Sequence, residues 1–309
     1  MQKVLITGSN GLLGQKLVEL LSRCLGYNLL LSSKEDLSVF GEGLLTYVKM
    51  DTTVRQEIRN VVDEFEPDII VNTAAITDVD RCETEKEAAW RVNVTSVENL
   101  VQAAKLVGAR LVHVSSDYVF DGKSGPYGEL DRPNPINYYG KTKLASENVL
   151  RTSGIPSTIV RTIVLYGQGR EVRNNFVLWV LQNLNDKKQI RVVDDQISTP
   201  TLVDDLAYGI LKTIELNRTG LYHISGPDMV SRYDIAMAVA KVFSLDKKLL
   251  SPVKSIVLRQ AAPRPMRTGF VTLKAETDLG IRMSGLEQGL LALKHQLQAN
   301  ARLQSEART

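Results

Sequence analysis

The chain has 309 residues, 43% apolar and 24% charged, with a formal net charge of +3. It can bury a large core, as one domain or two joined ones, and its charge gives no reason to expect nucleic acid or an anionic membrane as partner. Two cysteines, Cys24 and Cys82, and three histidines argue against a disulfide framework and a structural zinc site, so no metal is expected. The N-terminus turns glycine-rich too early for a signal peptide, and no apolar run is long enough to span a bilayer. A reducing cytoplasm is the expected location.

In chain order, Val4-Leu5-Ile6 reads as a short buried strand that stops at glycine. Leu12, Leu13, Leu17, Leu20 and Leu21 follow at helical spacing. Tyr27 to Leu31 is the second strand, and Val48 lies on a third. A helical pattern covers 54–65, and Ile69-Ile70-Val71 is the fourth strand. One long helix is predicted through Ala88, Val92, Val97, Leu100 and Ala104, and Leu111 to Val114 is the fifth strand. Thr158-Ile159-Val160 continues the sheet. Apolar strands alternating with amphipathic helices predict an α/β fold, a doubly wound parallel sheet of the Rossmann type. Residues 1–160 would form its dinucleotide-binding domain. Residues 161–309 would be mainly a smaller α/β substrate lobe, interleaved with the end of the sheet. Helical patterns at 174–185, 202–215 and 231–243 fall in that lobe. The tail after about Gln298 is polar and is expected to fray.

The first strand runs into Gly8, Gly11 and Gly14, spaced GxxGxxG and followed by a helix. Missing Cβ atoms let backbone N–H groups approach a pyrophosphate at the helix N-terminus. Gly8, Ser9, Asn10, Gly11, Leu12, Leu13 and Gly14 are therefore the predicted phosphate loop. The second strand ends in Ser32, Ser33 and Lys34, where an NAD site usually has an acid for the ribose 2′-OH. Two hydroxyls and an ammonium favour a 2′-phosphate, hence NADP(H), with NAD(H) as the alternative. The competing reading is a solvated loop.

The strand at 111–114 leads into Ser115 and Ser116, at the end where open α/β sheets bind ligands. The next predicted helix carries Tyr139 and Lys143, one turn apart on one face. A lone Tyr–Lys pair is usually solvated, but with a strand-end serine it makes an acid–base set. Lys143 would hold the nicotinamide ribose and lower the tyrosine pKa. Tyr139 would exchange a proton with the substrate oxygen, and Ser116 would hydrogen-bond that oxygen.

These motifs, with NxAA at 72–75 and Asn93, resemble the extended short-chain dehydrogenase/reductase superfamily. "SSDYVFDG", "PYGELDRPNPINYYGKTKLASE", "DDQISTPT" and "APRPMRTGFVTLKAETDLG" look like the dTDP-4-dehydrorhamnose reductase family. The resemblance implies a catalytic set of Ser116, Tyr139 and Lys143, with Asn93 ordering the lysine and a water. It implies Asp51 and Thr52 near the adenine, and Ala74 and Ala75 along the cofactor. On the substrate side it implies Asp117, Tyr118, Arg161, Val164, Asn175, Gln196 and Thr199. Each has a structural alternative: Asn93 as a local bridge, Arg161 paired with an acid, Tyr118 as core. Val164 stands where the family usually has a tryptophan near the sugar, a departure shared by the regulatory subunit of methionine adenosyltransferase.

The leading function is an NADPH-dependent reductase of a 4-keto sugar carried on a nucleoside diphosphate. A dehydratase would need a second acid after Asp117, where Tyr118 stands. An NAD-dependent nucleotide-sugar epimerase and a non-catalytic NADP-binding regulatory subunit are the alternatives. The superfamily resemblance implies a homodimer through the helix near 88–105 and the helix carrying Tyr139, and in the first of these Ala88, Trp90, Val94, Val97 and Val101 exceed one buried stripe.

Overall fold

The structure is a computed structural model and describes residues 1–41, 43 and 45–306. Strands β1 (Gln2–Thr7), β2 (Tyr27–Ser33), β3 (Thr46–Lys49), β4 (Ile69–Asn72), β5 (Arg110–Ser116) and β6 (Ser157–Thr162) form one sheet with a seventh strand, Gly220–His223. Their spatial order is Gly220–His223, β6, β5, β4, β1, β2, β3, and every neighbouring pair is parallel. The order reverses between β1 and β4, which opens a crevice at the strand C-termini.

Helices cover both faces. Leu12–Leu21 and Val203–Glu215 pack on one side, around Ile6, Leu17, Leu31 and Ile210. Arg55–Phe65 and Ser96–Val107 pack on the other, around Leu5, Ile58, Ile70 and Leu100. A third apolar cluster, with Tyr166, Val180, Ile235, Val239 and Leu290, forms the lobe. There helices Phe176–Asn185, Arg232–Val242 and Leu286–Glu306 meet three short two-stranded ladders. The lobe is thus made after β6, and the seventh strand returns from it to the main sheet.

The predicted long helix is present: Lys86–Trp90, a π-turn at Arg91–Thr95 and Ser96–Val107 follow one another without interruption, after a separate short helix, Val79–Thr84. Two expectations need correction. The polar tail after Gln298 is helical, because the last helix runs through Glu306; residues 307–309 lie outside the described residues. The apolar surplus taken as a dimer face is mostly core: Val94, Val97 and Val101 are buried within the chain, whereas Trp90 is exposed. Among the described residues no helix is long and apolar enough to cross a membrane.

Candidate active site

The crevice is a cleft of about 1680 Å³ between the strand ends and the lobe. Its nucleotide end is built by β1 and the helix after it. Gly8 has φ of +71°, and a Cβ there would stand 2.7 Å from the backbone nitrogen of Ala74. A Cβ on Gly14 would lie 2.3 Å from the Gly8 carbonyl oxygen. Only glycine fits either position. Gly11 caps the helix with no side-chain hydrogen bond, so the first-turn N–H groups at Leu12 and Leu13 have no helical acceptor. This cradle fits a pyrophosphate.

Asn10 has a structural task as well as a wall position. Its amide donates to Leu37 O (2.9 Å), and its carbonyl accepts from Val39 N (3.2 Å), which folds residues 37–39 over the cleft. Ser33, Lys34, Asp51, Thr52, Ala74 and Ala75 all line the cleft. Lys34 is exposed, and the Ser33 hydroxyl shares a 2.7 Å hydrogen bond with Tyr47. Ser9 and Ser32 do not line it. Ser32 is buried with its hydroxyl aimed at Ile6 O (3.4 Å), and the Ser9 N–H donates to Ser32 O (3.0 Å). Side chains alternate along a strand, so of the two serines only Ser33 faces the ligand side.

The reacting end combines β5 with helix Tyr138–Arg151. Asn137 caps that helix, accepting from Gly140 N (2.8 Å), while its amide donates to Pro263 O (2.8 Å). Gly140 seats the helix against the strand end, because a Cβ there would lie 2.0 Å from Tyr118 O. Tyr139 and Lys143 are both buried and both reach the cleft beside Ser116. Lys143 donates to Val114 O (2.7 Å) and lies 3.4 Å from His113 Nε2, and a three-donor ammonium so placed still has N–H capacity for a ligand. Burial lowers its pKa to about 8, opposed by Glu147.

Burial is the largest influence on Tyr139 and pushes its pKa up, and the Ser116 hydroxyl works against the rise. A phenol held protonated suits a proton donor. The Tyr118 ring meets it edge-on, with centroids 5.4 Å apart. Ser116 donates to Asp117 Oδ1 (2.9 Å), and Thr268 donates to Asp117 Oδ2 (2.7 Å), which ties the C-terminal segment to the strand end.

Asn93 sits in the π-turn behind this set. Its carbonyl accepts from Ile76 N (2.9 Å), and its amide donates to Ile76 O (3.1 Å) and Thr142 Oγ1 (3.0 Å). It holds the segment after β4 against the Tyr139 helix and makes no hydrogen bond to Lys143. Asp117, Tyr118, Val164, Asn175 and Gln196 line the cleft. Val164 has φ of +42°, strained for a β-branched residue. Asn175 caps helix Phe176–Asn185, accepting from Leu178 N (3.2 Å).

Two residues given to the substrate are withdrawn from it. Arg161 is fully buried and donates to both Glu147 oxygens at 2.7 Å, over the Phe120 ring. Thr199 is buried and shares a 2.9 Å hydrogen bond with Ser225. Sequence reading also missed residues. Asp78 and Asp80 carry ion pairs to Arg173 and Arg264 across the cleft. His113, neutral by burial, lies under Lys143 with Asn72 and Ser146 on its two nitrogens. Arg232 projects from the lobe. Its signal was the capping box Ser231…Asp234, which fixes where its helix begins.

Glycine loop, strand-end serine and Tyr–Lys helix over a parallel sheet define an NAD(P)-dependent oxidoreductase of the extended short-chain dehydrogenase/reductase class. A family model described as RmlD substrate binding domain matches residues 1–299, and the chain belongs to that family. It is 35% identical to the spore coat polysaccharide biosynthesis protein SpsK of Bacillus subtilis (strain 168), over 91% of this chain and 93% of that one. It is 33% identical to the dTDP-4-dehydrorhamnose reductase of Aggregatibacter actinomycetemcomitans, over 94% and 97%. A crystal structure of dTDP-4-dehydrorhamnose reductase from Bacillus anthracis in complex with NADP superposes with a TM-score of 0.83 at 32% identity, covering 96% of this chain and all of that one. The methionine adenosyltransferase 2 subunit beta of Mus musculus is 29% identical over 91% of this chain and 83% of that one.

Proposed function

We propose that the chain is an NADPH-dependent reductase of a 4-keto sugar linked to a nucleoside diphosphate. The observation that carries this reading is Tyr139, Lys143 and Ser116 converging at one cleft end, with the glycine cradle at the other. The cofactor, when bound, supplies the hydride. Gly8, Gly11, Gly14, Leu12 and Leu13 hold its pyrophosphate, and Asp51, Thr52, Ala74 and Ala75 flank it. Lys143 directs its free N–H groups at the ribose. Tyr139 gives its proton to the substrate oxygen, Ser116 turns its hydroxyl from Asp117 to that oxygen, and Asn93 holds the segment after β4 in place. Tyr118, Val164, Asn175 and Gln196 wall the sugar.

Ser33 and Lys34 favour the 2′-phosphate of NADP, and a charge-assisted contact there is worth about tenfold to hundredfold in affinity. Lys34→Ala should narrow the preference for NADPH over NADH by that factor. The free thiols Cys24 and Cys82 suit a reducing cytoplasm. A homodimer remains part of the reading, now resting on the exposed Trp90, and sedimentation at micromolar concentration tests it. Activity is tested by a screen of keto nucleotide sugars with NADPH and NADH, followed at the nicotinamide absorbance. Oxidation of NADPH by a 4-keto substrate is the expected result. Firmly retained NAD with no net redox change would replace the reductase by an epimerase.

A further inference from the structure

Arg232 opens helix Arg232–Val242, and its place is tightly fixed. Ser231 Oγ accepts from Asp234 N (3.0 Å), Asp234 Oδ2 accepts from Ser231 N (2.9 Å), and Arg232 N donates to Gln196 O (3.1 Å). The side chain sinks into the cleft, where it lines the same cavity as Ser116, Tyr118 and Gln196. The guanidinium carbon lies over the Phe176 ring, 5.0 Å from its centroid.

This cation has no counter-charge of its own. Among the described residues its guanidinium makes no hydrogen bond, and no carboxylate lies within ion-pair distance of it. The acid nearest in effect is Asp117, whose two oxygens already accept from Ser116 and Thr268. Other arginines around the cleft are answered: Arg173 by Asp78, Arg264 by Asp80, Arg161 by Glu147. Arg191, also on the cleft wall, is exposed and hydrated. Arg232 is the one of this group that is part-buried on the cleft wall with no acid at ion-pair distance, so its charge is left for a ligand to answer. Five N–H donors in a planar fork match phosphate oxygens.

We propose that Arg232 binds the sugar-linked phosphate of the substrate by charge-assisted hydrogen bonds. The proposal rests on the nucleotide-sugar reading above. Asp117 and Tyr118 directly follow Ser116 and line the same cavity as Arg232, so the bound anion lies near the reacting carbonyl. A pyranose with its carbonyl at C4 and its phosphate at C1 sets those groups across one ring.

The test is calorimetric titration of the NADP-loaded protein with thymidine diphosphate, uridine diphosphate and thymidine. Wild type, Arg232→Gln and Arg232→Lys are compared. Diphosphate affinity should fall about tenfold to hundredfold in Arg232→Gln and return in part in Arg232→Lys. Affinity for thymidine and for NADP should not change. The melting temperature of the ligand-free Gln variant should change little, because the guanidinium loses its place over the Phe176 ring but no ion pair or hydrogen bond. Undiminished diphosphate affinity in Arg232→Gln, or an equal loss for thymidine, would overturn the role of Arg232 alone. Wild type that binds neither diphosphate would overturn the nucleotide-sugar reading and this proposal with it.

Discussion

Lys143 shows what burial does to a single residue here. In the proposed role its ammonium must be charged to hold the ribose hydroxyls, yet burial brings its pKa from 10.5 down to about 8. The sign of the consequence is fixed. Below about pH 8 the ammonium is present and the site is competent; as pH rises through 8 the charge is lost. The kcat/KM profile should therefore fall on its alkaline side near pH 8, since kcat/KM reports groups of the free enzyme. A profile flat to pH 10 would mean that Lys143 keeps its proton. Stability runs the other way. Folding expels the proton between about pH 8 and 10.5, so the cost of burying this charge disappears as pH rises through that window. Position on the chain located this residue, but it could not locate Arg161. Lys143 follows a tyrosine by one helical turn, whereas Arg161 stands near a strand end, and only the fold reveals that Glu147 waits beside the arginine.

Among the elements, helix Tyr138–Arg151 carries the proposed proton donor, and Gly140 sets its depth. A methyl group at Gly140 would meet the Tyr118 carbonyl oxygen at 2.0 Å and Pro135 Cβ at 3.0 Å. Neither backbone nor proline can yield cheaply, so Gly140→Ala must shift the helix. A displacement on the order of 1 Å costs about hundredfold in rate. The variant should lose about that much kcat while its NADPH affinity changes far less, because the glycine cradle is separate. Equal loss of both would show that the helix seats the cofactor as a unit. The elements themselves were largely legible: apolar runs and helical spacing marked six strands of the sheet. The seventh was not, because Gly220–His223 is four residues long and gains its meaning only by pairing with β6. The π-turn at Arg91–Thr95 was not recognised, although its extra residue shows as the five-residue step from Val92 to Val97 in the apolar series. The last helix, Leu286–Glu306, has its apolar positions at one end and a polar surface beyond, so its sequence resembled a tail.

At the scale of the molecule, the cleft exists because two bodies of packing are tied across it. Asp78–Arg173 and Asp80–Arg264 bridge its mouth, and Thr268–Asp117 and Asn137–Pro263 join its floor. Behind it, Arg161 and Glu147 form a buried pair between β6 and the catalytic helix, with side-chain exposures of 1% and 0%. Arg161→Met would leave the Glu147 carboxylate short of its main partner and should lower unfolding free energy by about 3–5 kcal/mol, measured by urea denaturation. Replacing both by methionine should restore most of it. Unchanged stability with a raised substrate KM would return Arg161 to the substrate site. The closing measurement is the turnover of Tyr139→Phe with NADPH and a 4-keto nucleotide sugar, alongside its NADPH affinity. The phenol supplies a proton and contributes little to dinucleotide binding, so kcat should be abolished with cofactor affinity nearly intact. A variant that keeps more than a small fraction of wild-type kcat would contradict the account at its centre.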